Sequence, residues 1–441
     1  MPTADQDDET PEPSGSLFAI ALLAPLAGAL AGALGAAFRA GLDRADSLRG
    51  ALVAAAEGAS FAGFAAVVAL AALTAALAAF LVQRFALQAS GSGIPHVERV
   101  LRGEAEQGTF RLIPVKFFGG WLAIGGGLAL GREGPSVQMG ATLAHLLGKW
   151  FRCDWDDCRM LLAAGAGAGL ATAFNAPIAG AIFVLEELVR RFETRIAIAA
   201  LGASATAIVV ARALIGDAPD FTLPTIAAPT AASFPLALGV GALAGLAAIA
   251  YNRGILGTMD LFDRATGIPV VAKAALVGAL VGIIAWFAPG LVGGGDALTQ
   301  QALLGGGTIA GAVLIFALRF GLGALSYAAG TPGGLFAPLL VLGAELGLAA
   351  GLACEALFPA LGVDPRGFAL VGMAALFTGV VRAPLTGLVL VAEMTASTVM
   401  LVPMLGACFL AMLVTTLAGT PPIYDSLRER AARESKAPSP D

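Results

Sequence analysis

The chain has little charge for its length. Only 13% of its 441 residues are Asp, Glu, Lys or Arg, whereas a soluble protein has about a quarter. Apolar residues make up 58% of the chain and the mean hydropathy is +0.83. This balance excludes an ordinary soluble domain and predicts an all-α, multi-pass membrane protein whose partner is the lipid bilayer, with no nucleic acid. The 58 glycines suit helices that pack closely in lipid.

Cysteine and histidine are also scarce. The two histidines, His96 and His145, have no Cys or Glu at ligand spacing, and no HExxH string occurs. We therefore expect no metal site and no cofactor. The four cysteines are scattered, although a pairing of two of them stays open: Cys153, Cys158, Cys354 and Cys408.

The charge imbalance of the chain is confined to its start. Residues 1–16 contain five acidic residues and no basic one, which accounts for the net charge of -5. This Pro-rich stretch predicts a disordered acidic tail rather than a secretory signal. We expect a membrane domain over 17–424 and a polar tail over 425–441.

Long apolar stretches fill the region between the two tails. Several exceed the ~20 residues of one crossing, others fall short, and many are broken by Gly or Pro. The pattern predicts helices of uneven length, some ending inside the membrane. Charged segments such as 43–50 and 189–195 are expected to connect them. The stretches are 17–38, 51–83, 112–130, 160–189, 196–215, 235–251, 270–292, 303–328, 333–361 and 367–419.

An internal repeat divides this region into halves of roughly 50–215 and 235–419. "FNAPIAGAIFVLEE" (174–187) matches "VRAPLTGLVLVAEM" (381–394) at an offset of 207 residues. Upstream, "GREGPSVQMG" (131–140) aligns with "GLFAPLLVLG" (334–343). Repeats with broken helices at matching positions indicate a binding site between the halves, near mid-membrane. The sequence does not distinguish an inverted from a parallel repeat.

Three Gly-rich segments are the candidates for the binding site. Each has a Pro near the first turn of the helix that follows it. They are "GSGIP" (91–95), "GREGP" (131–135) and "GGLFAP" (333–338). Each leaves free backbone N–H groups at a helix start, and several such ends converging in the membrane form a partial-positive pocket for an anion. Dipoles bind a halide without trapping it.

These three segments, with the two AP-x-x-G repeats, resemble the signature of the CLC family of chloride channels and proton-coupled chloride transporters. The resemblance covers residues from about 85 to Tyr424. It implies a CLC-type inverted repeat of about 18 helices, several broken or only partly spanning, in a homodimer. Both termini are then cytoplasmic, and the short loops resemble prokaryotic members in a bacterial inner membrane.

Glu133, inside GREGP, is the first candidate site residue. A carboxylate among helix N-termini is itself an anion and competes with a halide for the same donors; protonation removes it from the competition. The resemblance gives Glu133 this role of external gate. A structural pairing with Arg132 is weak, because adjacent helical residues do not face each other.

The resemblance also supplies an anion-binding set. Ser92 and Tyr424 are expected to donate their hydroxyls, although Tyr424 also suits an interfacial anchor. The backbone N–H groups of Leu335 and Phe336 add donors. The remaining positions come from the signature segments: Gly93, Gly131, Arg132, Gly134 and Ala337.

Exchange, unlike a channel, needs a second proton acceptor facing the cytoplasm. In CLC transporters the second Glu of a pair such as Glu186 and Glu187 has this role, so the resemblance assigns it to Glu187. A solvated helix-end charge near Arg190 is the alternative. Glu186 is expected to be structural, since its repeat counterpart Glu393 is also a carboxylate. We therefore expect a chloride/proton exchanger, with a passive voltage- or pH-gated chloride channel as the alternative.

An intramembrane aspartyl protease is a remote alternative. "GGGD" (293–296) and "YD" (424–425) match its two strings, but such a dyad needs both aspartates deep in facing helices, sharing a proton. Asp296 follows an apparent loop and Asp425 opens the polar tail. We expect Asp296→Asn to abolish activity of a protease and to leave a transporter almost unchanged, as measured by proteolysis and ion flux.

Overall fold

The computed structural model describes residues 14–57 and 60–436, and within them the backbone is almost entirely helical. These residues form 17 α-helices and no β-strand beyond two isolated bridges. Seven of the helices are long and apolar enough to cross a membrane, and four more are apolar but shorter. The uneven lengths expected from the sequence are therefore present. The predicted acidic tail lies, except for its last three residues, outside the described residues.

The helices follow one another with short connections. In chain order they are α1 (Ser14–Glu57), α2 (Ser60–Phe85), α3 (Ile94–Leu101), α4 (Leu112–Gly125), α5 (Glu133–Trp150), α6 (Trp155–Phe174), α7 (Pro177–Phe183), α8 (Thr194–Ile215), α9 (Phe234–Arg264), α10 (Val270–Phe287), α11 (Asp296–Leu303), α12 (Ile309–Ala328), α13 (Phe336–Leu357), α14 (Pro365–Val381), α15 (Pro384–Thr395), α16 (Leu401–Leu417) and α17 (Ile423–Lys436).

Two segments differ from the sequence-based expectation. The charged connection predicted at 43–50 is wrong, because α1 runs through it without a break. The helix accommodates these charges because Asp46 and Arg49 pair across one turn and Arg49 also donates to the carbonyl of Gly125. Asp43, Asp46 and Arg49 line a polar cavity together with Arg132. The polar segment after Tyr424 is the helix α17, which packs against α3.

The order of helices repeats once, with α1–α8 corresponding to α9–α16. The short helices α3 and α11 each begin after a glycine with positive φ, Gly93 (84°) and Gly295 (97°). Helices α6 and α14 each end in a left-handed residue, Asn175 and Arg382, which are 207 positions apart. The first repeat thus includes α1 and starts earlier than residue 50.

Glycine allows the paired helices of each repeat to touch backbone to backbone. A Cβ on Gly140 of α5 would lie 2.3 Å from the carbonyl oxygen of Gly165 on α6. Their counterparts Gly343 on α13 and Gly372 on α14 make the same contact, at 2.6 Å. Contacts this close explain why a chain that packs helices in lipid is so rich in Gly.

The two repeats cap each other's helices. The Glu393 carboxylate accepts hydrogen bonds from the N–H groups of Ile178 (3.1 Å) and Ala179 (2.8 Å), at the start of α7. The Glu186 carboxylate does the same for Leu385 and Thr386, at the start of α15. Each carboxylate satisfies N–H groups that a helix leaves free and complements the helix dipole. Glu186 therefore has the structural contacts expected of it.

We predict that Glu393→Ala lowers stability by about 1 kcal/mol, because two N–H groups at the start of α7 lose their acceptor. The midpoint of thermal unfolding in detergent measures this loss. Glu355→Ala, which removes an exposed carboxylate from α13, is the control and should leave the midpoint unchanged. Equal midpoints for the two variants would contradict the prediction.

Candidate anion and proton site

Backbone hydrogen bonds join the three Gly-rich segments into one unit. Gly131 and Gly334 exchange both of their bonds, N–H to O=C, at 2.8 and 2.7 Å. The N–H of Gly91 donates to the carbonyl of Thr331, and the N–H of Gly333 donates to the carbonyl of Gly91, each at 3.0 Å. The starts of α3, α5 and α13 are therefore held together, as the sequence predicts.

The Glu133 carboxylate lies across the start of α13. Its Oε1 accepts a hydrogen bond of 2.6 Å from the N–H of Phe336, and the side chain is fully buried. A Cβ on Gly131 or on Gly334 would come within 2.1 or 2.3 Å of the carboxylate oxygens. These glycines leave the space that the carboxylate fills, at a helix N-terminus suited to an anion.

Two buried hydroxyls lie beside this point. Ser92 is 1% exposed and Tyr424 is 0% exposed, and neither hydroxyl has a hydrogen-bond partner within residues 14–57 and 60–436. The Tyr424 ring also packs on the Phe336 ring, with centroids 5.9 Å apart. Because Tyr424 is enclosed, it does not have the exposure of an interfacial anchor.

The remaining predicted residues support this arrangement. Gly134 faces Ser92, where a Cβ would lie 2.6 Å from the hydroxyl oxygen. Gly93 precedes α3 and Leu335 precedes α13, so each stands at the start of a helix. Ala337 is buried in the first turn of α13 and lines a neighbouring cavity.

Arg132 faces that cavity rather than the carboxylate next to it. Its guanidinium pairs with Asp220 at 3.1 Å and with Asp296 at 3.3 Å, and its Nε donates to the carbonyl of Ala173. The cavity has a volume of about 260 Å³ and is also lined by Gly131. The Arg132 side chain is therefore occupied by contacts at this cavity.

Glu187 lies in a short π-helical turn, Val184–Leu188, that continues α7. Its side chain is 2% exposed and its Oε1 is 3.2 Å from Nη2 of Arg190. Nη1 of the same arginine contacts Asp425 at 2.9 Å. The acid is therefore enclosed and paired, in contrast to the solvated helix end that was the alternative. π-Helical turns are frequent at functional sites.

The two aspartates of the protease alternative have separate partners. Asp296 pairs with Arg132 at the cavity and is about half exposed, at 53%. Asp425 pairs with Arg190 and Arg428. A dyad that shares one proton requires the two carboxylates in contact, and each of these aspartates contacts arginines instead.

Sequence reasoning missed three buried groups near the site. Lys116 is fully buried and donates to the carbonyls of Ala89 and Gly91, behind the first Gly-rich segment. The hydroxyl of Tyr327 lies 3.5 Å from the N–H of Ser92. Glu98 is buried on α3. Lys116 could have been identified from the sequence as a candidate functional residue. It is a single lysine inside the apolar stretch 112–130, and an ionisable residue in a membrane segment is usually functional.

Comparison with known proteins assigns the family. The family model described as voltage gated chloride channel matches residues 74–416. The chain belongs to this family, the CLC family. The H(+)/Cl(-) exchange transporter ClcA of Vibrio parahaemolyticus is 38% identical over 428 residues, covering 95% of this chain and 91% of the relative. The ClcA protein of Vibrio cholerae is 37% identical, covering 98% and 93%.

Solved CLC structures have the same architecture. A slow cyanobacterial Cl-/H+ antiporter is 32% identical and superposes with a TM-score of 0.90, over 95% of this chain and 99% of the other. A CLC-type fluoride/proton antiporter superposes with a TM-score of 0.77 at 23% identity, over 93% and 98%, which bears on the fold alone. The fold class expected from the Gly-rich segments, a CLC-type multi-pass inverted repeat, is confirmed.

We predict that Ser92→Ala and Tyr424→Phe each weaken binding of chloride, used as the probe anion. Losing one hydroxyl donor costs about 1 kcal/mol, or roughly fivefold in affinity. Isothermal titration calorimetry on purified protein measures the change. Ser204→Ala removes another buried hydroxyl without a described partner, on α8, and should leave chloride affinity unchanged. An effect of equal size in all three variants would contradict the assignment.

Proposed function

We propose that this chain is a secondary active transporter that exchanges chloride for protons across the membrane. The observation that supports this most directly is the position of the Glu133 carboxylate, which accepts the Phe336 N–H at a helix start. The relatives matched over nearly the whole chain are named H(+)/Cl(-) exchange transporters. That function assigns Glu133 the role of external gate and Glu187 the role of internal proton acceptor.

The gate works by competition between two anions. The charged Glu133 carboxylate takes the donor that a chloride ion would otherwise use, so both cannot bind there together. A protonated carboxyl accepts a hydrogen bond less strongly than a carboxylate. Protonation therefore favours release of the side chain and entry of chloride, and the departing side chain carries the proton. One proton is thereby linked to the admission of an anion.

The chloride ion itself meets dipoles rather than full charges. Its donors are the hydroxyls of Ser92 and Tyr424 and the backbone N–H groups at Leu335 and Phe336. The buried Lys116 amine donates to the carbonyls of Ala89 and Gly91 and so helps to hold the first Gly-rich segment in place. Binding by dipoles is weak enough for an ion to leave, as transport requires.

The proton takes a separate route on the inner side. Glu187 is a buried acid on the π-helical turn after α7. Tyr424 packs on Phe336, whose N–H the Glu133 carboxylate accepts. Protons and chloride use different side chains on the inner side and meet at Glu133. This division favours exchange over the passive chloride channel of the same fold.

We also propose a homodimer in a bacterial inner membrane with both termini cytoplasmic. A two-fold interface needs a self-complementary apolar face. The pseudo-equivalent Ile178 on α7 and Leu385 on α15, 207 positions apart, are 55% and 54% exposed. Leu201 and Leu405 extend this apolar surface along α8 and α16. The surface suits either a second copy or lipid, and analytical ultracentrifugation in detergent distinguishes them.

We predict distinct losses from two substitutions in reconstituted vesicles. Glu133→Ala should abolish proton coupling while chloride still leaks, because no carboxylate competes for the donors. Glu187→Ala should keep chloride flux with little proton movement, because the inner acceptor is gone. Simultaneous chloride-electrode and pH recordings under a chloride gradient measure both fluxes.

The wild-type protein supplies the test between exchanger and channel. An exchanger driven by a chloride gradient moves protons uphill, and a channel does not. Absence of uphill proton movement in the wild type would favour the channel. Unchanged coupling in both Glu133→Ala and Glu187→Ala would contradict the two residue roles even if the exchange itself is observed.

A further inference from the structure

Five ionisable side chains form a continuous row at the inner acid. Glu187 is 3.2 Å from Arg190, and Arg190 is 2.9 Å from Asp425. Asp425 is 3.2 Å from Arg428, and Arg428 is 3.6 Å from Glu98. The row joins three parts of the chain that are distant in sequence: α3, the π-helical turn and α17.

Burial decreases from the ends of the row to its middle. The Glu98 and Glu187 side chains are 0% and 2% exposed, whereas Asp425 is 17% and Arg190 is 32% exposed. Asp425 and Arg190 therefore lie where the buried acid meets solvent. The other titratable groups that act on Glu187 are Glu186 beside it, Tyr424, and Glu98 of α3. Glu186 is occupied with the start of α15.

Arg190 is shared between two carboxylates. Nη2 points to Glu187 and Nη1 to Asp425, and Nε donates to the backbone carbonyl of Glu187. An arginine bound to one carboxylate alone stabilises its charged form more strongly than an arginine divided between two. The Asp425 charge therefore weakens the hold of Arg190 on Glu187 and makes the protonated form of Glu187 easier to reach.

The position of Asp425 in the chain adds a second link. It directly follows Tyr424, which supplies one of the two hydroxyls at the anion site, and both belong to the first turn of α17. The helix has a separate anchor farther along, where Arg430 pairs with Asp260 and Asp263 of α9. The helix therefore has an attachment that does not involve Asp425.

We propose that Asp425 is a positioning residue for proton transfer: it divides Arg190 between itself and Glu187 and so allows Glu187 to take up a proton from the inner side. The proposal rests on the exchange function given above. Asp425 does not carry the proton. Its effect passes through Arg190, and it sets how readily Glu187 is protonated at a given inner pH.

Asp425→Asn is the test, in full-length protein reconstituted into liposomes. Without the Asp425 charge, Arg190 pairs with Glu187 alone, and Glu187 stays charged more of the time. Because partly exposed ion pairs contribute about 0.2–1 kcal/mol, we expect proton flux relative to chloride flux to fall by about 1.4- to fivefold. The deficit should shrink as the inner pH is lowered, since a higher proton concentration compensates for a less readily protonated acid.

Two control variants separate positioning from a structural anchor. Asp425→Glu keeps the charge and should keep the wild-type flux ratio. Arg430→Gln removes the other anchor of α17 and should also keep that ratio. Chloride affinity of Asp425→Asn, measured by isothermal titration calorimetry, should stay within about twofold of wild type, because its ion pairs lie outside the anion donors.

The outcomes are distinguishable. A wild-type protein without coupled proton movement overturns the exchange function and this inference with it. Coupled wild type with an unchanged ratio in Asp425→Asn overturns only the inference. Loss of chloride binding in Asp425→Asn, or an equal ratio change in Arg430→Gln, assigns Asp425 to holding α17 and also overturns it. A pH-dependent ratio change confined to Asp425→Asn supports it.

Discussion

The backbone bridge between Gly131 and Gly334 is the constraint on which the rest of the site depends. Each glycine donates to the other, at 2.8 and 2.7 Å, and the two stand at matching positions of the two repeats. The bridge brings the starts of α5 and α13 to one point. Side chains are excluded from it, because a Cβ at either position would collide with the Glu133 carboxylate. The contact therefore places the helix start that carries the Phe336 N–H against the Glu133 carboxylate.

A helix that starts inside a membrane has free N–H groups that can bind an anion, but these groups also require an acceptor at all times. A backbone N–H without a partner in a non-aqueous interior costs several kcal/mol. The N–H of Phe336 must therefore always have an acceptor, and Glu133, in the Gly-rich segment of the other repeat, provides one. An anion that replaces Glu133 satisfies the same group. In the proposed mechanism, gate opening and anion binding are one exchange of acceptors, which keeps the free-energy cost of opening low.

The sequence was sufficient to predict the parts of the site whose geometry depends on neighbouring residues in the chain. GSGIP, GREGP and GGLFAP carry their backbone geometry in Gly and Pro, and the AP-x-x-G repeat fixes the relation of α7 to α15. The sequence was insufficient to predict the contacts of charged residues whose partners are distant in the chain. The segment 43–50 has the composition of a connection between helices. It is instead part of α1, and Arg49 and its neighbours line a cavity. Arg132 points to Asp220 and Asp296, which lie 88 and 164 positions away.

Coupling of two ions requires that each change the other's free energy. In the proposed mechanism, shared space achieves this on the outer side, where the Glu133 carboxylate and a chloride compete for one N–H. On the inner side the acid and the anion are separate, so some element must contact both. The first turn of α17 does, since Tyr424 packs on Phe336 and Asp425 holds the arginine of Glu187. In the proposed mechanism, these two neighbouring residues of α17 connect the chloride route with the proton route.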